Sequence, residues 1–363
     1  MGERWIIWGT GQVGQALYSF LEKNKMIENV IAVVDKNQKK WGMIWNVYTV
    51  QNPNIIEREE FDKVIIAVGA WRGIYKYLQN EYGVPYEKID NYKFIHRKAL
   101  LNFYDEQNNN SEKLRKQLKY IKEHPLDFFN DDFPDKYIDM EIKVFHDTMR
   151  DMLYVFYCGK KMYFPREYTE EQVIQYYRQI LVEQDLLSPH RYQSADFSVA
   201  EDEVVLDIGA AEGNFSLEII DKVKKLYLVE PDAGWIEALR CTFAPYIDKV
   251  CIVQKYITDR NDEKCITIDE LAKKELFTSI KMDIEGAEIA ALKGGKKTLY
   301  DNNIKLFVCT YHKEDAFDEI ASWLKCCGYH VSATEGYMVF LTFENLEKNL
   351  LPKLVKGVIQ AEK

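Results

Sequence analysis

The chain has 363 residues, of which 47% are hydrophobic, and a formal net charge of −10. That length suits two or three domains with real cores, and the acidic balance argues against a broad nucleic-acid-binding face, so small-molecule partners are expected. The seven cysteines are odd in number, form no C-x-x-C and mostly lie in apolar, strand-like contexts, which predicts buried free thiols in a reducing compartment.

The N-terminus leads directly into a strand with no signal-peptide pattern, and no apolar run approaches the length of a membrane span. A cytoplasmic protein without a transmembrane segment is the expectation. Residues 4–35 read strand, glycine loop, helix, strand: "RWIIW", "GTGQVG", "QALYSFLEKN", "VIAVVD". This is a βαβ unit opening a parallel sheet. Gly9, Gly11 and Gly14 fit G-x-G-x-x-G, and Asp35 ends the next strand twenty-one residues after Gly14. Glycines of that spacing let a pyrophosphate approach a helix N-terminus, and the acid can hold a ribose. Three readings stay open for this domain: an NAD(P) site acting on a sugar, a site for the nucleotide end of a nucleotide-sugar, or a retained scaffold for assembly. Nucleotide binding without redox chemistry is favoured, because the only Y-x-x-x-K, at Tyr157 and Lys161, spans a hairpin turn. "DKVIIAVG" at 62–69 is a buried parallel strand. Arg72, in "GAWRG", is a candidate phosphate contact, weighed against a solvated surface arginine. The domain is placed at 1–95.

Residues 96–195 read as a mainly helical connector and cap. "QNNNS" at 107–111 is a loop, and Ser111 is placed as the N-cap of "EKLRKQLKYIKEH". "DFFNDDFPDKYIDM" is acidic and turn-rich. "YVFYCGKKMYF", 154–164, is a hairpin turning at Cys158-Gly159. Thr169 and Gln172 form a capping box before a helix with Val173, Tyr177, Ile180 and Leu181 on its apolar face.

A second α/β domain is placed at 196–345. "EVVLDIGAAEGNFSLEIIDKVKKLYLVE", 203–230, repeats the βαβ grammar. Further strands are predicted at 249–257, 278–284, 305–312, 329–334 and 337–343. The last two are expected to form a hairpin across Glu335-Gly336. A parallel sheet finished by an antiparallel hairpin is the class I methyltransferase layout. The predicted fold class is therefore α/β, with two Rossmann-like parallel-sheet domains joined by the connector. The tail, 346–363, carries Leu346, Leu350, Leu354 and Val358 at helical spacing, interrupted by Pro352. A terminal helix packing on the body or on a second subunit is expected, which allows a homodimer.

The second glycine loop has Asp207, Gly209 and Gly213 in the spacing D-x-G-x-x-x-G. Glu212 stands where a dinucleotide would place phosphate, so a cationic ligand such as S-adenosylmethionine is preferred. Glu230 ends the next strand and can accept hydrogen bonds from ribose hydroxyls. Asp259, in "KYITD", is a candidate near the adenine, although aspartates are common in turns. "SIKMDIEGAEIAALKGG", 279–295, puts Asp283, Glu285 and Glu288 at the mouth of an apolar strand. Methyl transfer to a hydroxyl needs a proton acceptor, or a divalent cation held by carboxylates. Asp283 leads as active-centre residue, Glu285 is its partner in base or metal work, and Glu288 is assigned to helix capping. His312, in "VCTYHK", and His190, in "SPHRY", are further catalytic candidates at element ends, and His312 is expected beside Asp283.

"VVLDIGAAEGNFSL", "LYLVEPD", "TIDEL", "IKMDIEGAEIAALKG" and "YHK" occur in this order over residues 200–335, and the region resembles the FkbM-type methyltransferases. The resemblance implies S-adenosylmethionine-dependent O-methylation, often of sugars in glycans, with Asp207, Gly209, Gly213 and Glu230 at the cofactor and Asp283 and Glu285 at the active centre. "EQDLLSPHRY" is similar to a segment of bacterial members with an extra N-terminal domain. It implies places near cofactor or acceptor for Ser188, His190, Arg191 and Tyr192. A sugar hydroxyl in bacterial polysaccharide or glycan assembly is the expected acceptor. A nucleotide-sugar oxidoreductase and a non-catalytic assembly subunit are the alternatives.

Overall fold

The computed structural model describes residues 3–105, 111–339 and 353–363. The chain forms two compact units, one from Met1–Ile138 with Val339–Leu354 and one from Asp139–Met338 with Val355–Lys363.

In the first unit, β1 (Trp5–Trp8), β2 (Val30–Val34), β3 (Ile44–Trp45), β4 (Tyr48–Gln51), β5 (Lys63–Ile66) and β6 (Ile89–Asn91) form a six-stranded sheet ordered β3-β4-β2-β1-β5-β6. All neighbours are parallel except β3 and β4. β1 is buried throughout, as a central strand covered on both faces must be. Side chains alternate across a strand. Trp5 and Ile7 therefore pack with Leu17 and Leu21 of α1 (Gln12–Lys23), while Ile6 and Trp8 pack with Trp71, Tyr75 and Leu78 of α2 (Trp71–Tyr82). The strand order reverses beside β1, which puts the Gly9 loop at the switch point.

α3 (Phe94–Asp105) and α4 (Glu112–Glu123) also belong to this unit. Ser111 caps α4, its Oγ accepting the Leu114 amide at 3.3 Å. The expected helical connector is thus divided. Its first part completes unit one, and residues from Asp139 onward start unit two with a three-stranded antiparallel sheet: β7 (Phe145–Asp147), β8 (Met152–Tyr157) and β9 (Lys160–Tyr163). The β8–β9 turn has positive φ at both Cys158 and Gly159, the geometry that matches the twist of a two-residue hairpin. α5 (Glu170–Glu183) begins with the Thr169–Gln172 capping box.

The main sheet of unit two contains β10 (Val204–Ile208), β11 (Lys225–Val229), β12 (Val250–Val253), β13 (Ser279–Met282), β14 (Lys305–Cys309), β15 (His330–Ala333) and β16 (Val358–Glu362), ordered β12-β11-β10-β13-β14-β16-β15. The first five strands are parallel, and β16 runs antiparallel between β14 and β15. The expected C-terminal helix is therefore a strand over 358–362. Apolar residues every four positions satisfy a helical face and also one face of a strand, because four is a multiple of two. Leu346 and Leu350 lie outside the described residues. The expected hairpin across Glu335-Gly336 is replaced by β15 pairing with β16, whose distant chain segment no local signal announces. Residues 340–343 of its second strand lie outside the described residues.

All seven cysteines are free, as expected, but Cys158 and Cys326 are exposed rather than buried. Among the described residues no helix is long and apolar enough to cross a membrane.

Candidate active site

The carboxyl ends of β10, β13 and β14 meet in unit two, and a cavity of about 260 Å³ opens there; Glu230, after β11, does not line it. Its wall includes the loop from Gly209 to Glu212, Lys281, Asp283, Glu285, Tyr311 and His312, with Tyr176 and Glu183 from α5.

Gly209 has φ +72°, and a Cβ there would lie 1.9 Å from the Asp283 carbonyl oxygen. Only glycine allows the β10 and β13 ends to approach this closely. Gly213, at φ +80°, starts α6 (Asn214–Ile219) with its Cα against Phe243 and Leu239. Asp207 is fully buried and does not line the cavity. One oxygen accepts Ser216 Oγ–H at 2.6 Å, and the other lies 3.1 Å from Lys281 Nζ. Lys281 also donates to the Gly209 carbonyl at 2.7 Å. The expected cofactor contact of Asp207 is therefore a scaffold beneath the loop. Lys281 had a signal in the sequence: it stands two residues before Asp283, on the same side of an extended chain.

Glu230 accepts the amides of Ala211 at 3.0 Å and Asp232 at 2.9 Å, and burial raises its carboxyl. Each oxygen keeps further acceptor capacity. Glu212 accepts Tyr176 O–H at 3.0 Å, and burial pushes its pKa up to about 7. Its charge against phosphate is weaker than the sequence implies. Asp259 is exposed and hydrogen-bonds Thr258 at 3.2 Å, away from the cavity wall.

Asp283 follows β13 and lies beside β14, because Met282 pairs with Val308. It accepts Tyr192 O–H at 2.7 Å and Tyr311 O–H at 3.3 Å. His190 Nε2 lies 3.6 Å and His312 Nε2 3.5 Å from it. Burial works against its charge, yet His190, Lys281, His312 and the Tyr192 hydroxyl bring its pKa down to about 2. Such a carboxylate is a weak base and a good anchor.

His312 Nδ1 is 3.0 Å from Glu288 Oε1. Burial alone would lower the imidazole, but Glu288 and Asp283 raise it above its ordinary value. Glu288 begins α7 (Glu288–Gly294), is buried, and accepts the amides of Ile284 and Gly286 at 3.2 Å each. It stands in the helix's first turn, as expected of an acid there, but it gathers loop amides rather than capping the helix, and it adds a contact to His312 that sequence reasoning missed. Glu285 is exposed at φ +53° and lines the cavity. Two metal-compatible groups share Asp283 among the described residues, one with Glu288 and His312 and one with His190 and Cys309, the ligand atoms of each within 4.8 Å of one another. Glu285, the expected metal partner, is in neither.

His190 is 2% exposed, and burial lowers its pKa to about 4. It stands behind Asp283, with Nε2 3.1 Å from Tyr311 Oη. Tyr192 reaches the cavity. Ser188 and Arg191 instead line a separate cleft of about 520 Å³. There Ser188 Oγ accepts the His190 amide at 3.1 Å, and Arg191 donates to the Gln184 and Gln193 carbonyls. Glu183, unmarked in the sequence, lines the cavity. Burial raises its pKa to about 8, and Glu212 and Asp283 add to the effect.

In unit one, Gly9 and Gly14 meet closely: a Cβ on Gly14 would lie 2.3 Å from the Gly9 carbonyl. Around Gly11 a Cβ would meet nothing within 4 Å. Asp35 accepts from Thr10 Oγ1 at 2.6 Å, Lys40 Nζ at 2.7 Å and the Asn37 amide at 2.9 Å. The ribose-holding acid expected from the sequence is thus occupied by its own loop. Arg72 donates to Asp127, Asp135 and the Phe129 carbonyl at 2.7–2.9 Å, which removes it as a free phosphate contact.

Residues 255–331 match the family described as Methyltransferase FkbM domain, and residues 1–90 match C2185-like, N-terminal. No curated protein sequence matches the chain. Among solved structures, methyltransferase FkbM from Methylobacillus flagellatus KT aligns over 99% of this chain and 90% of its own, at 15% identity and a TM-score of 0.53. Precorrin-6y C5,15-methyltransferase from Geobacter metallireducens GS-15 aligns over 50% of this chain and 88% of its own, at 15% identity and a TM-score of 0.34. Residues 255–331 are thus similar to the Methyltransferase FkbM domain, and the chain shares the α/β fold of the Methylobacillus flagellatus methyltransferase structure.

Proposed function

We propose that unit two transfers a methyl group from S-adenosylmethionine to a sugar hydroxyl, in the assembly of a polysaccharide or glycan. The observation that carries this reading is the line Glu288–His312–Asp283 beside the Gly209 loop. The residues suit that cofactor: Glu230 retains acceptor capacity for ribose hydroxyls, and the Asp283 carboxylate lines the cavity where a cation would sit. Bound S-adenosylmethionine supplies an activated methyl group on a cationic sulfur.

The chain's own residues supply the proton acceptor. Glu288 takes the Nδ1–H of His312, which leaves the lone pair on Nε2, at the cavity wall. Nε2 is placed to accept the proton of the acceptor hydroxyl; the oxygen would take the methyl group as the methyl–sulfur bond breaks, with S-adenosylhomocysteine as the leaving group. Asp283, 3.5 Å away, stabilises the imidazolium that results. This moves the base from Asp283 to His312. Asp283, Glu288 and His312 are also spaced to hold a divalent cation, so the direct base and the metal route are separated by chelation.

Isothermal titration calorimetry with S-adenosylmethionine and S-adenosylhomocysteine tests the reading. Binding of both is expected, and binding of neither overturns it. Turnover unchanged by EDTA supports the direct base, and loss restored by a divalent cation favours a metal.

A further inference from the structure

We infer that unit one carries a binding cleft for a neutral sugar ring, on the outer side of α2 and away from its glycine loop. The cleft is about 400 Å³ and lies between α2, α4, Tyr86 and Asp135. It does not depend on the methyltransferase reading of unit two.

Three observations select the ligand class. The first is the aromatic content of the wall. Tyr75, Tyr86, Tyr120 and His124 all line it, and the Tyr120 and His124 rings stack at 4.0 Å with an interplanar angle of 10°. Tyr86 is 49% exposed, which leaves its ring open on the cleft wall. Sugar rings present an apolar C–H face that packs on such surfaces, and hydroxyls at their edges.

The second is unused hydrogen-bonding capacity. His124 Nδ1 faces the Tyr120 carbonyl at 3.1 Å and must donate to it, so Nε2 is left as an acceptor. Trp71, also on the wall and 3% exposed, has a buried Nε1–H with no partner among the described residues. Buried donors are rarely left unsatisfied.

The third is charge. The cleft's cations are already neutralised. Arg72 is spent on Asp127 and Asp135, and Lys76 lies 3.3 Å from Asp135. Glu123 on the same wall adds negative charge. A phosphate or carboxylate ligand would find no free cation, whereas a neutral polyol finds acceptors, donors and an aromatic floor.

The test uses the full chain and saturation-transfer difference NMR. The probes are methyl β-D-glucopyranoside, N-acetyl-D-glucosamine, adenosine and UDP. Saturation is expected on the C–H protons of at least one sugar. Tyr86→Ala should weaken that binding roughly tenfold through loss of the stacking face, with an unchanged thermal melt. His124→Gln should also weaken it. The inference is overturned if neither sugar is saturated, if sugar signals persist undiminished in Tyr86→Ala, or if only adenosine or UDP shows Tyr86-dependent transfer.

Discussion

Nδ1 of His312 lies 3.0 Å from Oε1 of Glu288, so the carboxylate that gathers the amides of Ile284 and Gly286 also fixes the tautomer of the imidazole above the cavity. The loop before the helix and the orientation of His312 thereby depend on one carboxylate.

The first prediction concerns that pair. His312→Asn should lower kcat by about 10²–10⁴-fold, with S-adenosylmethionine affinity nearly unchanged. Glu288 helps to raise the His312 pKa above its ordinary value, and under the proposed mechanism the neutral imidazole is the active form. The rate should therefore rise with pH through that raised pKa. Glu288→Gln should move the limb to lower pH as well as slow turnover. A pH profile of kcat/KM that keeps its midpoint in Glu288→Gln would remove the assignment.

Lys281 and Asp207 form a buried pair at 3.1 Å, 3% and 1% exposed at their side chains. Lys281→Met should cost roughly 3–5 kcal/mol, because it strands a buried carboxylate. Adding Asp207→Asn should recover part of that loss. Chemical denaturation of both singles and the double gives the coupling energy. Additive effects would show that the pair does not brace the loop.

His190 titrates near pH 4 in the folded protein and near 6.5 when unfolded. Between those values the unfolded chain binds more protons, so folding stability falls as pH falls from 6.5 toward 4. From pH 7 to pH 5 this group should contribute a loss of roughly 2 kcal/mol. His190→Gln should flatten that part of the urea-denaturation pH profile. An equally steep profile in the variant would assign the loss elsewhere.

Gly209→Ala places a Cβ 1.9 Å from the Asp283 carbonyl in a φ +72° conformation. The left-handed backbone alone costs about 1–2 kcal/mol, and the clash forces β10 and β13 apart. Lower thermal stability and lost S-adenosylhomocysteine binding are expected together, read by differential scanning fluorimetry. A variant that melts and binds like wild type would mean the strand ends are not tightly coupled.

Much of the architecture was legible in the sequence because it is written locally. The two βαβ units, the Thr169–Gln172 capping box, the Cys158-Gly159 turn and the D-x-G spacing each depend on residues a few positions apart, and backbone sterics allow few alternatives. The meeting of His312 with Asp283 also followed, since adjacent parallel strands bring their carboxyl ends together.

What the tertiary structure alone decided was pairing between distant segments. Val358–Glu362 became a strand because β14 and β15 leave a slot for it, although its spacing fits a helix equally well. Arg72 and Asp35 carried the right chemistry for phosphate and ribose until Asp127, Asp135, Thr10 and Lys40 arrived as partners. A side chain's type and spacing define what it is able to bind, but its free hydrogen-bonding capacity depends on neighbours that only folding supplies.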